Sequence, residues 1–312
     1  MSTILHQFGL VAPHFVLVLI GFLLAKSGKW PKAVSDSLAA FVFAVAVPAF
    51  LFRLMSDPGR LPPFDARLLL AFFGGCLLTF LAGRLGSWWL FRLNGVQQTV
   101  FGLGGVFSNN VLLGIPLAKA MLGEAGVGPV ALVIVFNAII LWSLATVSVE
   151  WARHGEVSVK GFARTAKQVL TTPVIVGVIS GAAVGQTGWQ LPFILDEPLR
   201  MVGQSAAPLA LIVVGMGLSE YGVKAGWQEG TGITVLKLLI QPLIVWTMAH
   251  LLGLPPLETQ AVVLLGSLPV GINVYVMSRQ FEALQGPVAS AMVLSTAISA
   301  VTTPLLVALA KH

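Results

Sequence analysis

The sequence predicts an all-α integral membrane protein of ten transmembrane helices, built as two inverted five-helix repeats with one broken helix in each. Three observations predict it. Apolar residues make up 56% of the chain and charged residues 10%, with a mean hydropathy of +0.91, far outside the range of a soluble domain. The apolar residues fall into runs of about 20, the length that crosses a bilayer. Two of those runs, one in each half, carry glycine, proline and asparagine near their middles.

Taken in order with about 20 residues per crossing as the ruler, the spans cover residues 8–25, 34–55, 67–91, 97–122, 127–150, 169–187, 198–219, 232–253, 259–280 and 286–309. The first holds Pro13 and His14, and the second Pro48. The fourth contains "SNNVLLGIPLAKAMLG", the fifth Asn137, and the sixth a stripe of Gly177, Gly181 and Gly185. The seventh holds Pro208, the eighth His250 near its end, and the ninth "GSLPVGINVY". Met1 to Phe15 has neither a basic start nor a small-residue cleavage pattern, so the first span is expected to stay in the mature protein. Links between spans are short. The longest polar one divides the chain into a first repeat at 1–152, a cytoplasmic link at 153–168 and a second repeat at 169–312.

Internal similarity supports that division. Pro13 pairs with Pro173 and Pro48 with Pro208 at one offset, while Glu124, Gly128 and Pro129 pair with Glu282, Gly286 and Pro287 at another. The second alignment sets Pro116 opposite Val274 and Asn109 opposite Ser267. Five spans per half is an odd number, so the halves cross the membrane in opposite directions, as in secondary transporters. Counting Lys and Arg, with Lys237 among the inner residues, gives twelve inside and six outside when both termini are placed outside. The excess marks the inner face.

The breaks carry the chemistry. Proline lacks an N–H and clashes with the preceding turn, so "LLGIP", with Gly114 and Pro116, is expected to interrupt the fourth span. Pro269, Gly271 and Asn273 are expected to interrupt the ninth. Exposed backbone groups cannot face lipid, so both breaks must lie in protein or line a wet cavity. Half-helix N-termini meeting there form an anion site without a cationic side chain, with Asn109, Asn110, Asn137 and Asn273 as neutral hydrogen-bonding groups. The alternative is that such residues serve as kinks and interhelical glue.

Several runs carry a family resemblance: "FVLVLIGFLLAKSGKWPKAVSDSLAAFVFAVAVPAFLF", "SNNVLLGIPLAKAMLG", "TTPVIVGVISGAA", "SAAPLALIVVGMGLSEYG" and "SLPVGINVYVMSRQF". Over essentially its whole length the chain resembles the bacterial branch of the auxin efflux carrier family. The resemblance implies a fold similar to that of sodium/proton antiporters. Its scaffold would comprise spans 1, 2, 6 and 7, and its moving transport domain spans 3–5 and 8–10. It implies an organic anion as substrate, indole-3-acetate in plant members and malonate or malate in bacterial relatives. By motif position Asn109 matches the asparagine before the first crossover, Pro116 its proline, and Asn137 a polar residue on the fifth span. Val274 stands where the plant pattern has a second proline. The long hydrophilic loop of many plant members is missing.

Charge placement addresses coupling. All twelve carboxylates fall in loops or near span ends, which argues against cation exchange and for a uniporter that the membrane potential drives outward. A proton- or sodium-coupled symporter is the alternative, followed by a channel or receptor. His14 is the candidate proton site, although a hydrogen-bonded neutral ring is its other reading. Lys119 either attracts substrate or snorkels to the interface. The glycine stripe packs inside the scaffold or forms a homodimer interface. A homodimer in a bacterial inner membrane, both termini periplasmic, is expected. Scattered basic residues exclude nucleic acid as partner. With no phosphate-binding, metal-ligand or nucleophile motif, neither enzyme activity nor any cofactor is expected. Cys76, the sole cysteine, allows no intramolecular disulfide.

Overall fold

The computed structural model describes residues 2–57, 65–154, 170–220 and 226–310, and most of the 153–168 link lies outside them. Among the described residues the architecture is helical. The helices are α1 Ser2–Lys26, α2 Lys32–Met55, α3 Ala66–Phe91, α4 Gly95–Val106, α5 110–122, α6 124–154, α7 Pro173–Gln186, α8 Phe193–Leu218, α9 Trp227–Leu251, α10 Pro256–Ser267, α11 Ile272–Gln280 and α12 Gln285–Leu309. Gly123 separates α5 from α6 with φ 73 and ψ −172, a conformation closed to other residues without strain.

Among the described residues, seven helices are long and apolar enough to cross a membrane. Three of the ten expected spans are not single long helices. The fourth and ninth are split into α4 with α5 and α10 with α11, and the sixth is the 14-residue α7.

Two clusters of helices are visible in the packing. α1 lies on α8, and α2 lies on α7 and α8; α3 packs on α4 and α9, and α9 on α10 and α12. Backbone-to-backbone contact holds the first cluster together, which only glycine permits. A Cβ on Gly177 would meet the Pro48 carbonyl oxygen at 2.8 Å, and one on Gly185 the Met55 oxygen at 2.6 Å. Gly21 and Gly215 sit against the backbones of Ile212 and Val18 in the same way. The glycine stripe of α7 is therefore covered by α2 within the chain, which decides between its two readings.

Sequence explains the helix starts near the site. Asn94 and Gln97 form a reciprocal capping box that opens α4, with Asn94 Oδ1 accepting from the Gln97 N–H at 3.0 Å. Asp65 caps α3 by accepting from the Arg67 N–H at 2.9 Å.

Among the described residues, three helices contain a five-residue π-turn: Val42–Ala46, Asn110–Gly114 and Leu236–Ile240. Each ends two residues before a proline, namely Pro48, Pro116 and Pro242. The reason is local. Proline cannot donate to the carbonyl four residues back and crowds it, and an extra residue in the turn moves that carbonyl aside.

This corrects the position of the first break. "LLGIP" is helical; the chain leaves helix geometry at Phe107 (φ −87, ψ 98) and Asn109 (φ −77, ψ 61), seven residues before Pro116. Pro116 is the seventh residue of α5, and the π-turn before it moves aside the carbonyl that its ring would crowd. Gly114 ends that π-turn and lies against Leu268 rather than in the break. The second break runs from Leu268 to Gly271, with Pro269 inside it as expected. α5 spans thirteen residues against nine in α11. Val274, which the internal alignment sets opposite Pro116, is buried in the first turn of α11.

Candidate functional site

The two breaks cross in contact. Ser108 and Val270 form an antiparallel bridge, in which the Asn109 N–H donates to the Pro269 oxygen at 3.0 Å and the Gly271 N–H to the Phe107 oxygen at 2.8 Å. Gly271 is obligatory here, because a Cβ would meet the Ser108 oxygen at 2.8 Å and its carbon at 3.1 Å. The Val270 N–H donates to Ser295 Oγ on α12 at 3.1 Å.

Four helix ends converge on this crossing, and the chain treats them unequally. The C-terminal ends, whose carbonyls carry partial negative charge, are supplied with donors. The Val106 oxygen at the end of α4 accepts from Gln241 Nε2 at 3.1 Å, the Gly266 oxygen of α10 from Lys237 Nζ at 2.6 Å, and the Ser267 oxygen from Thr303 Oγ1 at 2.8 Å. The N-terminal ends of α5 and α11 instead open onto a cavity of about 380 Å³, lined by residues 108–111 and 271–273 together with Asn137 and Trp142 of α6 and Phe43 of α2. First-turn N–H groups have no acceptor within their own helix, so these ends present positive partial charge to the cavity. No ionisable side chain lines it among the described residues.

The side chains around it are unpartnered to an unusual degree. Asn110, 3% exposed, has both amide atoms without a hydrogen-bond partner among the described residues, and the same is true of Ser108 Oγ and Asn137 Oδ1. A buried polar atom left unpaired costs about 1–3 kcal/mol. Several of them border one cavity, where water or a polar ligand would find hydrogen-bonding partners.

All four predicted asparagines line this cavity, Asn109 and Asn273 half-buried and Asn110 and Asn137 buried. Pro116 does not; it lines a second cavity of about 320 Å³ between α2, α5 and α8. The two cavities share one residue, Val111, so the start of α5 is the wall between them. The second cavity holds Arg53, Lys119 and Arg200, each in an ion pair. Arg53 grips Asp196 through two bonds of 2.6 and 3.0 Å, and Lys119 meets Glu124 across the Gly123 turn at 2.9 Å.

His14 is not part of either cavity. Its Nδ1 lies 3.0 Å from the Leu10 carbonyl of its own helix, the bond that a ring in mid-helix makes when no other partner is near. His250 stacks on Trp246 with ring centroids 4.5 Å apart. Lys237, counted from sequence as an inner-face charge, sits inside α9 and is fully buried at 0% exposure beside the crossing. Its neighbours Leu236 and Leu238 and Gln241 four residues on were the available signal, since a lysine within an apolar run and followed by an amide one turn later needs a buried partner.

Comparison with known proteins places the chain among membrane transporters. A family model described as "Membrane transport protein" matches residues 6–307. The chain is 28% identical over 94% of its length, and 92% of the relative's, to a protein of Rhizobium meliloti (strain 1021) named "Putative malonate transporter". It is 22% identical to an uncharacterized transporter of Methanocaldococcus jannaschii, covering 91% of this chain and 92% of that one. A third relative, an uncharacterized transporter of Methanothermobacter thermautotrophicus, is 24% identical over 93% of this chain and 94% of its own. With helices that cross at unwound segments and a family match that runs nearly end to end, the chain belongs to the membrane transport protein family of auxin efflux carriers.

Proposed function

We propose that the protein is a secondary transporter for small organic anions, malonate or a similar carboxylate, and that it works by elevator-type alternating access. The observation that carries this reading is the set of polar atoms with no hydrogen-bond partner among the described residues, Ser108 Oγ, both amide atoms of Asn110 and Asn137 Oδ1, bordering a cavity that the described residues line without a charged side chain. A carboxylate would accept from the free N–H groups and asparagine amides in a cavity that, among the described residues, no acidic side chain lines. The name of the Rhizobium meliloti relative supports malonate as the first candidate.

In this reading α4 with α5 and α10 with α11 each form one broken span, giving ten spans in two inverted repeats. α1, α2, α7 and α8 are the scaffold, and the remainder the moving domain. The two cavities, meeting at Val111, are then the approaches from opposite membrane faces. Removing Lys237 from the inner count leaves eleven against six, so both termini stay outside in a bacterial inner membrane. A homodimer would use a face other than the α7 stripe, which α2 covers.

Purified protein in liposomes tests the reading. Malonate, malate, lactate and indole-3-acetate are offered with the membrane potential and the pH gradient imposed separately. A uniporter moves anion toward the positive side on potential alone, one charge being worth about 2.3 kcal/mol per 100 mV. Flux that requires a sodium or proton gradient at fixed potential would replace uniport by symport, and saturating currents far above carrier rates would replace the carrier by a channel.

A further inference from the structure

Lys237 and Gln241 lie one turn apart on α9, at the π-turn that precedes Pro242. Both are fully buried. Lys237 Nζ donates to Gln241 Oε1 and to the Gly266 oxygen, both at 2.6 Å, and no carboxylate pairs with it among the described residues. Gln241 Nε2 donates onward to the Val106 oxygen at 3.1 Å and lies 3.4 Å from Cys76 Sγ on α3. The chain of contacts thus runs from the end of α10, through a lysine and an amide, to the end of α4.

We infer that Lys237 and Gln241 are a positioning pair that ties the C-terminal ends of the two half-helices together and so holds their N-terminal ends toward the anion cavity. The inference rests on the reading of that cavity as an anion site. Each helix end carries roughly half a charge, negative at the C-terminus and positive at the N-terminus. Where four ends meet, the two negative ones would cancel the attraction that the two positive ones exert on an anion. The ammonium offsets the negative pair, so the positive pair faces the cavity uncompensated. A methionine of similar length would fill the space but leave the carbonyl ends unneutralised.

Cys76 supplies a readout that does not depend on substrate, because it is the only cysteine in the chain and is buried beneath Gln241. Wild type, Lys237→Met, Lys237→Arg and Gln241→Leu are compared in detergent for the rate of N-ethylmaleimide labelling, and in liposomes for malonate KM and maximal rate. Lys237→Met and Gln241→Leu are expected to label at least about tenfold faster and to raise KM by about tenfold or more, since small misplacements of binding groups cost that much. Lys237→Arg, which keeps the charge, is expected to stay within about threefold of wild type in KM.

Labelling as slow as wild type in both neutral variants would overturn the pair. So would an unchanged KM in a variant whose labelling is accelerated. If Lys237→Met does not fold, Lys237→Arg still decides: a raised KM with protected Cys76 contradicts the role given to the charge. Should wild type move none of the four carboxylates, the anion reading fails, and the labelling series alone judges the clamp.

Discussion

Asn110 is the residue at which the proposed site separates function from stability. Both its amide atoms are buried with no partner among the described residues, an arrangement that lowers stability unless a ligand or water bonds them. Asn110→Ala is therefore expected to keep or slightly raise the melting temperature in detergent while reducing malonate transport by about tenfold or more. A joint fall in both would mean that Asn110 has a structural partner. Asn137→Ala should behave alike, because its Oδ1 is unpaired too. Asn109 contributes mainly backbone, its N–H held by Pro269 and its oxygen by Leu113 and Gly114. Asn109→Ala is expected to cost less transport than Asn110→Ala, which flux measurements on the two variants will rank.

At the scale of elements, the crossing is set by where side chains are missing. Gly271→Ala places a methyl group against the Ser108 backbone and is expected to abolish the bridge, with loss of transport and a lower yield of monodisperse protein. Gly217→Ala on α8, where a Cβ meets nothing within 4 Å, is the matched control and should be neutral. Size-exclusion profiles and flux of the two variants check the contrast. The π-turns belong to this scale as well. "LLGIP" was legible as a perturbation, yet the chain absorbs its proline by widening one turn and breaks instead at Phe107 to Asn109. What places the break there is the partner strand of the bridge, Pro269 to Gly271, which lies 162 residues away from Ser108 at Val270 and is invisible to any local rule.

For the whole molecule, the two cavities predict accessibility from opposite faces. With Cys76 replaced by alanine, Thr146→Cys and Gln204→Cys line the first and second cavity respectively. Each is expected to react with a membrane-impermeant thiol reagent from one side only, and the two from different sides; labelling of both from the same side would remove the alternating-access geometry. The charge count makes a further prediction. A green fluorescent protein fused after the C-terminus should be dark and an alkaline phosphatase active, and the reverse pattern would invert the orientation.

Sequence alone determined that this chain lives in a bilayer, because hydropathy is a sum over residues and needs no fold. It also located the two interrupted spans and the four asparagines, since glycine, proline and asparagine perturb their own backbone wherever they stand. Packing decided the rest. That the α7 glycine stripe lies under α2 depends on which surface another helix presents. That His14 bonds its own helix while Lys237 reaches Gly266 depends on which groups lie within about 3 Å. Only the tertiary structure reveals that the C-terminal helix ends are supplied with side-chain donors and the N-terminal ends face a cavity, because what faces a backbone dipole is set by folding.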